Sequence, residues 1–385
     1  MYNRTIESEI LRMSQYFHVI TITGPRQSGK TTVCKKVFPQ YDYVNLEDET
    51  TRADIEQNRK GFLLSHKQGL IIDEVQNMPE LFSVIQVVVD ENEDARFVIT
   101  GSNNFLLMQK ITQSLAGRTA LLTLLPLSLE ELGEESKKTS VFELMHKGFY
   151  PAVWAKKIPA EDTYRQYFNT YIQRDIQQVL HIRHLSEFRR FVIMCASRVG
   201  TEFNAQSMCS ELGVSIPTVQ EWLNVLEASY IAFRMQPFYR NIGKRLVKTP
   251  KIYFYDAGMA CYLLGIHNPQ QVETHPLRGQ IFENMAVCEM LKKQYNAGRD
   301  NNLYFFRDKG QHEVDIVAED GLNLYAYEIK LSSTIHPDFF KNLTYFRSLF
   351  PNDTKSTMVI NTGVTENRTT ENGHIHFTSI PSVSS

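Results

Sequence analysis

None of the five cysteines (Cys34, Cys195, Cys209, Cys261 and Cys288) stands in a CxxC pair or beside a histidine at metal-ligand spacing. That absence argues against a disulfide framework and a zinc module, and fits reduced thiols in a cytoplasmic protein. An excess of charge is missing as well. Lys and Arg number 41 against 43 Asp and Glu, a net charge of -2, so any nucleic-acid surface has to be a local basic patch. Long apolar runs are lacking: the greasiest stretch, "TALLTLLPLSLEEL", is too short to span a bilayer and is broken by Pro126. The opening "MYNRTIESEI" has no apolar core of the kind a signal peptide needs. The expectation is a soluble cytoplasmic chain without a membrane partner, and its 385 residues suit two or three domains.

What is present begins with apolar runs that read as buried strands: "HVITIT", "YDYVNL", "GLIIDEV" and "ARFVITGS", with "RTALLTLLPLS" as a fifth. Helical patterns such as "ELFSVIQVVVDEN" separate them. Strands alternating with helices predict an α/β domain with a largely parallel sheet, which binds ligands at the carboxyl ends of its strands. At the end of the first run stands Gly24-Pro25-Arg26-Gln27-Ser28-Gly29-Lys30-Thr31, followed by Thr32. It fits G-x-x-x-x-G-K-[ST] at every fixed position, between a strand and a helix. In such a loop the glycines let backbone N–H groups turn inward around phosphate oxygens, and the helix aims its positive end at them. Lys30 then reaches the outer phosphates of ATP, and the Thr31 hydroxyl ligates Mg²⁺.

The strand "GLIIDEVQ" ends in Asp73 and Glu74. Asp73 suits the role of holding Mg²⁺ through water, and Glu74 that of the base for the water attacking the γ-phosphate. The next strand ends in Ser102, Asn103 and Asn104. Asn103 at that tip either senses the γ-phosphate or belongs to a loop capping the next helix. Arg118 in "SLAGRTALL" is either an arginine finger, acting on the phosphoryl group of a neighbouring copy in a homo-oligomer, or one half of a surface salt bridge.

In that order "GPRQSGKTT", "LIIDEVQ", "ITGSNNFLL", "SLAGR" and "PLSLEEL" resemble the bacterial and archaeal ATPases of AAA type that carry a C-terminal domain of unknown function. The resemblance extends over nearly the whole chain, through "GFYPAVW" and "YFNTYIQRDIQQVL". It implies an AAA-like P-loop domain over residues 1–140, a helical connector over 141–200, a winged helix over 201–265 and a restriction-endonuclease-like domain over 275–385.

The residues of the later segments agree with that order. "FNAQSMCSELGVSIPTVQEWLNVLEASYIAFRMQPF" reads as helix, a turn at Gly213, and a second helix through Trp222. After the run "YIAFRMQPF" comes "YRNIGKRLVKTPK", which leads into "PKIYFYD" and carries Arg240, Lys244, Arg245, Lys248 and Lys251 without an acid. Those cations suit phosphate contacts with DNA or RNA, whereas the second helix offers no Arg or Lys. A winged helix also serves as a protein-interaction module, and both readings stand.

Further on, Asp315 lies in one predicted strand, and Glu328 and Lys330 flank a single residue in the next. Residues two apart on a strand share a face, so these groups can converge as a PD-(D/E)xK constellation. Carboxylates there hold Mg²⁺ and the lysine orients the nucleophile. Glu283 on the preceding amphipathic helix matches the family's fourth acidic position. Against this stands the plain reading, in which these are strand-edge charges.

Overall fold

The structure is a computed structural model and describes residues 2–102, 114–171, 185–240, 249–363 and 373–380. The chain divides into two compact units, one of Met1–Leu127, Ala228–Tyr230 and Tyr295–Arg299, the other of Ser128–Glu227, Ile231–Gln294 and Asp300–Ser385.

The first unit begins with α1 (Glu7–Ser14) and continues through β1 (Val19–Thr23), α2 (Lys30–Val37), β2 (Asp42–Asn45), α3 (Glu49–Gln57) and α4 (Arg59–Ser65). It then adds β3 (Leu70–Asp73), α5 (Leu81–Glu91), β4 (Phe97–Gly101) and β5 (Thr119–Thr123). Every strand pairing in its sheet is parallel, in the order β2-β3-β4-β1-β5. The three inner strands β1, β3 and β4 are buried at every position, because both of their faces are covered. Ile20, Ile22, Ile71, Val98 and Leu122 face α1 and α2, packing on Ile6, Ile10, Val33 and Cys34. Their alternates Val19, Leu70, Ile72, Phe97 and Ile99 face α5, packing on Phe82, Ile85 and Val88. Strands β2, β3 and β4 fill one side of β1 and β5 the other. The carboxyl end of β1 is therefore where strand order reverses, the place at which such sheets bind ligands.

The second unit starts with short helices, the first capped by Ser128 and Glu131 in a reciprocal capping box. Helices α6 (Leu185–Ala196), α7 (Ala205–Leu212) and α8 (Ile216–Ala228) follow, and Gly213 ends α7 at φ 70. Trp222 of α8 packs on Phe188 and Phe191 of α6, so the aromatic residues of these helices are core. Next come the antiparallel strands β6 (Ala232–Met235) and β7 (Lys251–Phe254), then α9 (Ala257–Leu263) and the long α10 (Arg278–Asn296).

The C-terminal sheet is mixed. Its strands are β8 (Leu303–Arg307), β9 (Glu313–Asp320), β10 (Asn323–Ile329), β11 (Thr354–Asn361) and β12 (Gly373–His376), with α11 (Lys341–Leu349) between β10 and β11. They lie in sequence order, β8, β9 and β10 antiparallel and β10, β11 and β12 parallel. Phe306, Val314, Leu324, Ala326 and Val359 of the sheet pack on Leu343 and Phe346 of α11. Among the described residues no helix is long and apolar enough to cross a membrane.

Candidate active site and the C-terminal charge cluster

The loop between β1 and α2 is shaped by backbone that ordinary residues avoid. Gly24 has φ 142, and a Cβ there would stand 2.1 Å from the carbonyl oxygen of Leu124, so only glycine fits beside the continuation of β5. Gln27 (φ 60) and Gly29 (φ 98) are left-handed, which turns successive N–H groups to one side. Lys30, the first residue of α2, is buried and donates to the carbonyls of Gly24 at 3.0 Å and Pro25 at 2.8 Å. Burial lowers the pKa of its ammonium, against the opposing pull of Glu74 and Asp73. Ser28 Oγ is buried without a hydrogen-bond partner, and Thr32 is exposed in the first turn of α2.

Asp73 ends β3 beside this loop. Its carboxylate accepts from Thr31 Oγ1 at 2.7 Å, from the Tyr43 hydroxyl at 3.0 Å and from Thr100 of β4. Glu74 takes a left-handed conformation (φ 54), sparsely populated for such a residue, and its side chain accepts from Gln76 and from Ser102 Oγ at 3.1 Å. The tip of β4 thus does reach the acidic pair, through Ser102. Asn103 and Asn104 lie outside the described residues. Arg26 stands 3.9 Å from Glu47. Sequence reasoning missed Tyr43, Thr100 and Gln76, and two groups further off. Arg4 donates to the carbonyl of Ser28, and the Tyr230 hydroxyl donates to Thr23 Oγ1 at 2.8 Å across 207 residues.

The second constellation also comes together. Glu328 of β10 lies one step past the Tyr327–Ile316 pair, which brings it level with Asp315 of β9. Asp315 Oδ2 accepts from the Ile329 N–H at 2.7 Å, and Lys330 Nζ stands 2.7 Å from Glu328 and 3.7 Å from Asp315. Asn342 of α11 donates to Glu328 at 3.3 Å. Burial and the neighbouring Asp315 push the Glu328 carboxyl up to about 9. Glu283 of α10 accepts from the Tyr253 hydroxyl at 2.5 Å and pairs with Lys251 at 3.1 Å, and burial pushes it up to about 7. Among the described residues no three His, Cys, Asp or Glu side chains form a ready metal cluster. The cations facing these carboxylates are lysines.

Residues 16–133 match the family described as AAA domain, while residues 138–270 and 278–383 match two domains of unknown function, DUF8612 and DUF4143. The uncharacterized proteins Rv2008c of Mycobacterium tuberculosis and Mb2031c of Mycobacterium bovis are each 33% identical over 324 residues, which is 82% of this chain and 71% of theirs. The chain belongs to their family, and its N-terminal third is an AAA domain. An uncharacterized protein of Haemophilus influenzae is 24% identical over 325 residues, covering 75% of this chain and 78% of its own. Among solved structures, the Walker-type ATPase PABY2304 of Pyrococcus abyssi shares 13% identity over 68% of this chain and 96% of its own, with a TM-score of 0.45.

The structure changes the reading of the cationic stretch. Lys251 is not a surface phosphate contact: it is 2% exposed, paired with Glu283 and with Glu313 at 2.5 Å. It is the first residue of β7, and its backbone is bridged to that of Glu202. Arg240 is spent in ion pairs with Asp353 at 2.7 Å and Glu319 at 3.3 Å. Lys244, Arg245 and Lys248 lie outside the described residues.

Arg118 grips Asp90 with Nε at 2.6 Å and Nη2 at 2.8 Å. It precedes Thr119, which pairs with Val19, so it sits at the start of the β1–β5 ladder while the phosphate loop follows its end. Five residues of strand separate the two, about 16 Å. Its own cradle is out of reach.

Proposed function

We propose that the protein is a Mg²⁺-dependent ATPase that acts on nucleic acid and carries a nuclease-like C-terminal domain. The observation that carries this reading is the meeting of Lys30, Thr31, Asp73 and Glu74 at the carboxyl ends of β1 and β3. Gly24, Pro25, Arg26, Gln27, Ser28, Gly29 and Thr32 complete the loop around the phosphates. The unpartnered Ser28 hydroxyl is a ready donor inside it.

Thr31 and Asp73 would hold Mg²⁺, since their oxygens are the hard donors it takes and stand 2.7 Å apart. When bound, that ion supplies charge neutralisation between the outer phosphates. Lys30 exchanges its loop carbonyls for phosphate oxygens, and its low-dielectric surroundings strengthen the attraction. Glu74, oriented by Gln76 and Ser102, accepts the proton of the attacking water. Asn103 is assigned to the γ-phosphate, and Arg118 to the phosphoryl group in another copy.

Helices α7 and α8 with the β6–β7 hairpin support a winged-helix reading, with Lys244, Arg245 and Lys248 as its phosphate contacts. The convergence of Asp315, Glu328 and Lys330 supports a nuclease-like arrangement, and Glu283, Asp315 and Glu328 are its candidate metal ligands. Their oxygens suit a divalent cation, but with Lys251 and Lys330 standing among them we derive no step through a metal there. That observation, with the loss of Lys251 and Arg240 from the cationic surface, favours a second reading. In it ATP controls a switch whose C-terminal part binds a protein partner without cleaving nucleic acid.

Phosphate release measured with single-stranded DNA, duplex DNA or RNA, alongside cleavage of each, separates the two. Nucleic-acid-stimulated hydrolysis supports the first reading. Hydrolysis indifferent to all three, without cleavage, supports the switch. No hydrolysis under any condition removes the ATPase assignment.

A further inference from the structure

We propose that Arg4, outside the phosphate-loop motif, is a positioning residue that aims the Gly29 N–H into the phosphate cradle; this rests on the ATP-binding reading above. Arg4 is 6% exposed, and its guanidinium forks between two strands of backbone. Nη1 donates to the carbonyl of Ser28 at 2.6 Å, and Nη2 to the carbonyls of Leu125 at 2.6 Å and Pro126 at 3.5 Å. Residues 125 and 126 continue β5, whose extension already holds Thr23 through the Leu124 N–H at 2.8 Å. One side chain therefore ties the apex of the loop to the sheet that carries it.

The consequence follows from peptide geometry. In a trans peptide the C=O of one residue and the N–H of the next point in opposite directions from one rigid plane. Fixing the Ser28 carbonyl on Arg4, on the outer side of the loop, turns the Gly29 N–H to the opposite side. A left-handed Gly29 (φ 98) then continues the inward turn into α2. The bonds are charge-assisted, and the planar fork of the guanidinium lets one side chain hold both carbonyls. Its charge also lies close behind the loop: a Cβ on Gly29 would stand 3.5 Å from Nη1.

Arg4 is itself held. Its N–H donates to Glu7 Oε1 at 2.8 Å, and Glu7 pairs with Lys36 of α2 at 2.7 Å. Ile6 and Ile10 bury the same short segment in the core beside α2. The segment before β1 and the helix after the loop thus brace the arginine from two directions.

A donor aimed by Arg4 meets phosphate in the ground state and the transition state alike, so its loss is a loss of uniform binding. Titration calorimetry of ATP and of inorganic tripolyphosphate on the full chain tests this, with wild type, Arg4→Lys and Arg4→Ala. Arg4→Ala should weaken both by about ten- to a hundred-fold, the worth of one or two charge-assisted hydrogen bonds. KM should rise accordingly, with kcat within about two-fold. Arg4→Lys keeps a charge but cannot span both carbonyls, and should fall between. Unchanged affinity in a folded Arg4→Ala chain, or a loss for ATP but not tripolyphosphate, overturns the proposal. Should the alanine variant fail to fold, Arg4→Lys decides, and wild-type affinity there overturns it equally. A wild-type chain that binds neither probe removes the ATP-binding reading itself, an outcome distinct from these.

Discussion

With its ammonium bound to the Gly24 and Pro25 carbonyls, Lys30 has partners that an arriving phosphate must replace. Lys30→Ala should therefore abolish measurable nucleotide binding and turnover. Glu74→Gln should act differently: the amide keeps hydrogen bonding near Ser102 but cannot take a proton. Binding measured by calorimetry should persist while phosphate release falls about a hundred- to ten-thousand-fold. Undiminished release in either variant would remove that residue from the reaction. The loop and the Asp73–Glu74 pair were legible in sequence because each is a short run at fixed spacing, dictated by the backbone it has to form. Arg4, Thr100 and Tyr230 were not. Arg4 reaches partners 24 and 121 residues away and Thr100 one 27 residues away, so no local pattern announces them. Gln76 escaped for another reason: it sits beside Glu74 as an ordinary polar residue, and only the left-handed turn at Glu74 brings the two side chains together.

Whole elements were read more easily than their faces. All five strands of the first sheet follow from apolar runs bounded by turns, and burial on both faces explains why the inner three, β1, β3 and β4, are buried at every position, whereas the edge strand β5 alternates. Strands β6 and β7 fall within the apolar runs "YIAFRMQPF" and "PKIYFYD", yet Lys251 was read as a phosphate contact because basic neighbours precede it in sequence. Burial makes its removal expensive. Lys251→Met should destabilise the chain by about 3–5 kcal/mol in urea unfolding, because Glu283 and Glu313 are left without their buried counter-charge. The salt dependence of any nucleic-acid binding should not change. Alanine at Lys244, Arg245 and Lys248 should do the reverse, leaving stability alone and flattening the salt slope. A flattened slope in Lys251→Met would return that residue to the binding surface.

The turn between β8 and β9 sets a pH response of its own. Burial would raise Asp308, but the Tyr345 hydroxyl at 2.7 Å and the His312 N–H at 3.1 Å, with the His312 ring, hold its carboxyl below the ordinary range. A depressed folded pKa adds stability above the unfolded value, lost as pH falls through the folded one. Tyr345→Phe should thus melt lower than wild type at neutral pH, with the gap narrowing below about pH 3. A gap that stays constant well below that pH would assign the effect to packing on His312 instead, since the two rings stack at 3.9 Å.

At the scale of the molecule, the position of Arg118 carries the sharpest consequence. It stands at the opposite end of the β1–β5 ladder from its own phosphate loop, and its guanidinium is satisfied by Asp90. An exposed pair of this kind contributes little to stability, so Arg118→Ala should leave the melting temperature nearly unchanged. Its only route to a reacting phosphate is through a second copy of the chain, whose loop would have to meet this end of the sheet. Two measurements follow from that geometry. Activity per mole should fall on dilution, as assemblies dissociate by mass action. Mixing Arg118→Ala with Glu74→Gln should restore activity that neither variant shows alone, because a site with an intact Glu74 can then receive an intact Arg118 from its neighbour. The restored rate should depend on the ratio of the two variants and vanish on dilution. Constant activity per mole down to a dilute monomer, together with wild-type turnover in Arg118→Ala, would leave the arginine as the surface partner of Asp90 and the hydrolysis as the work of one chain.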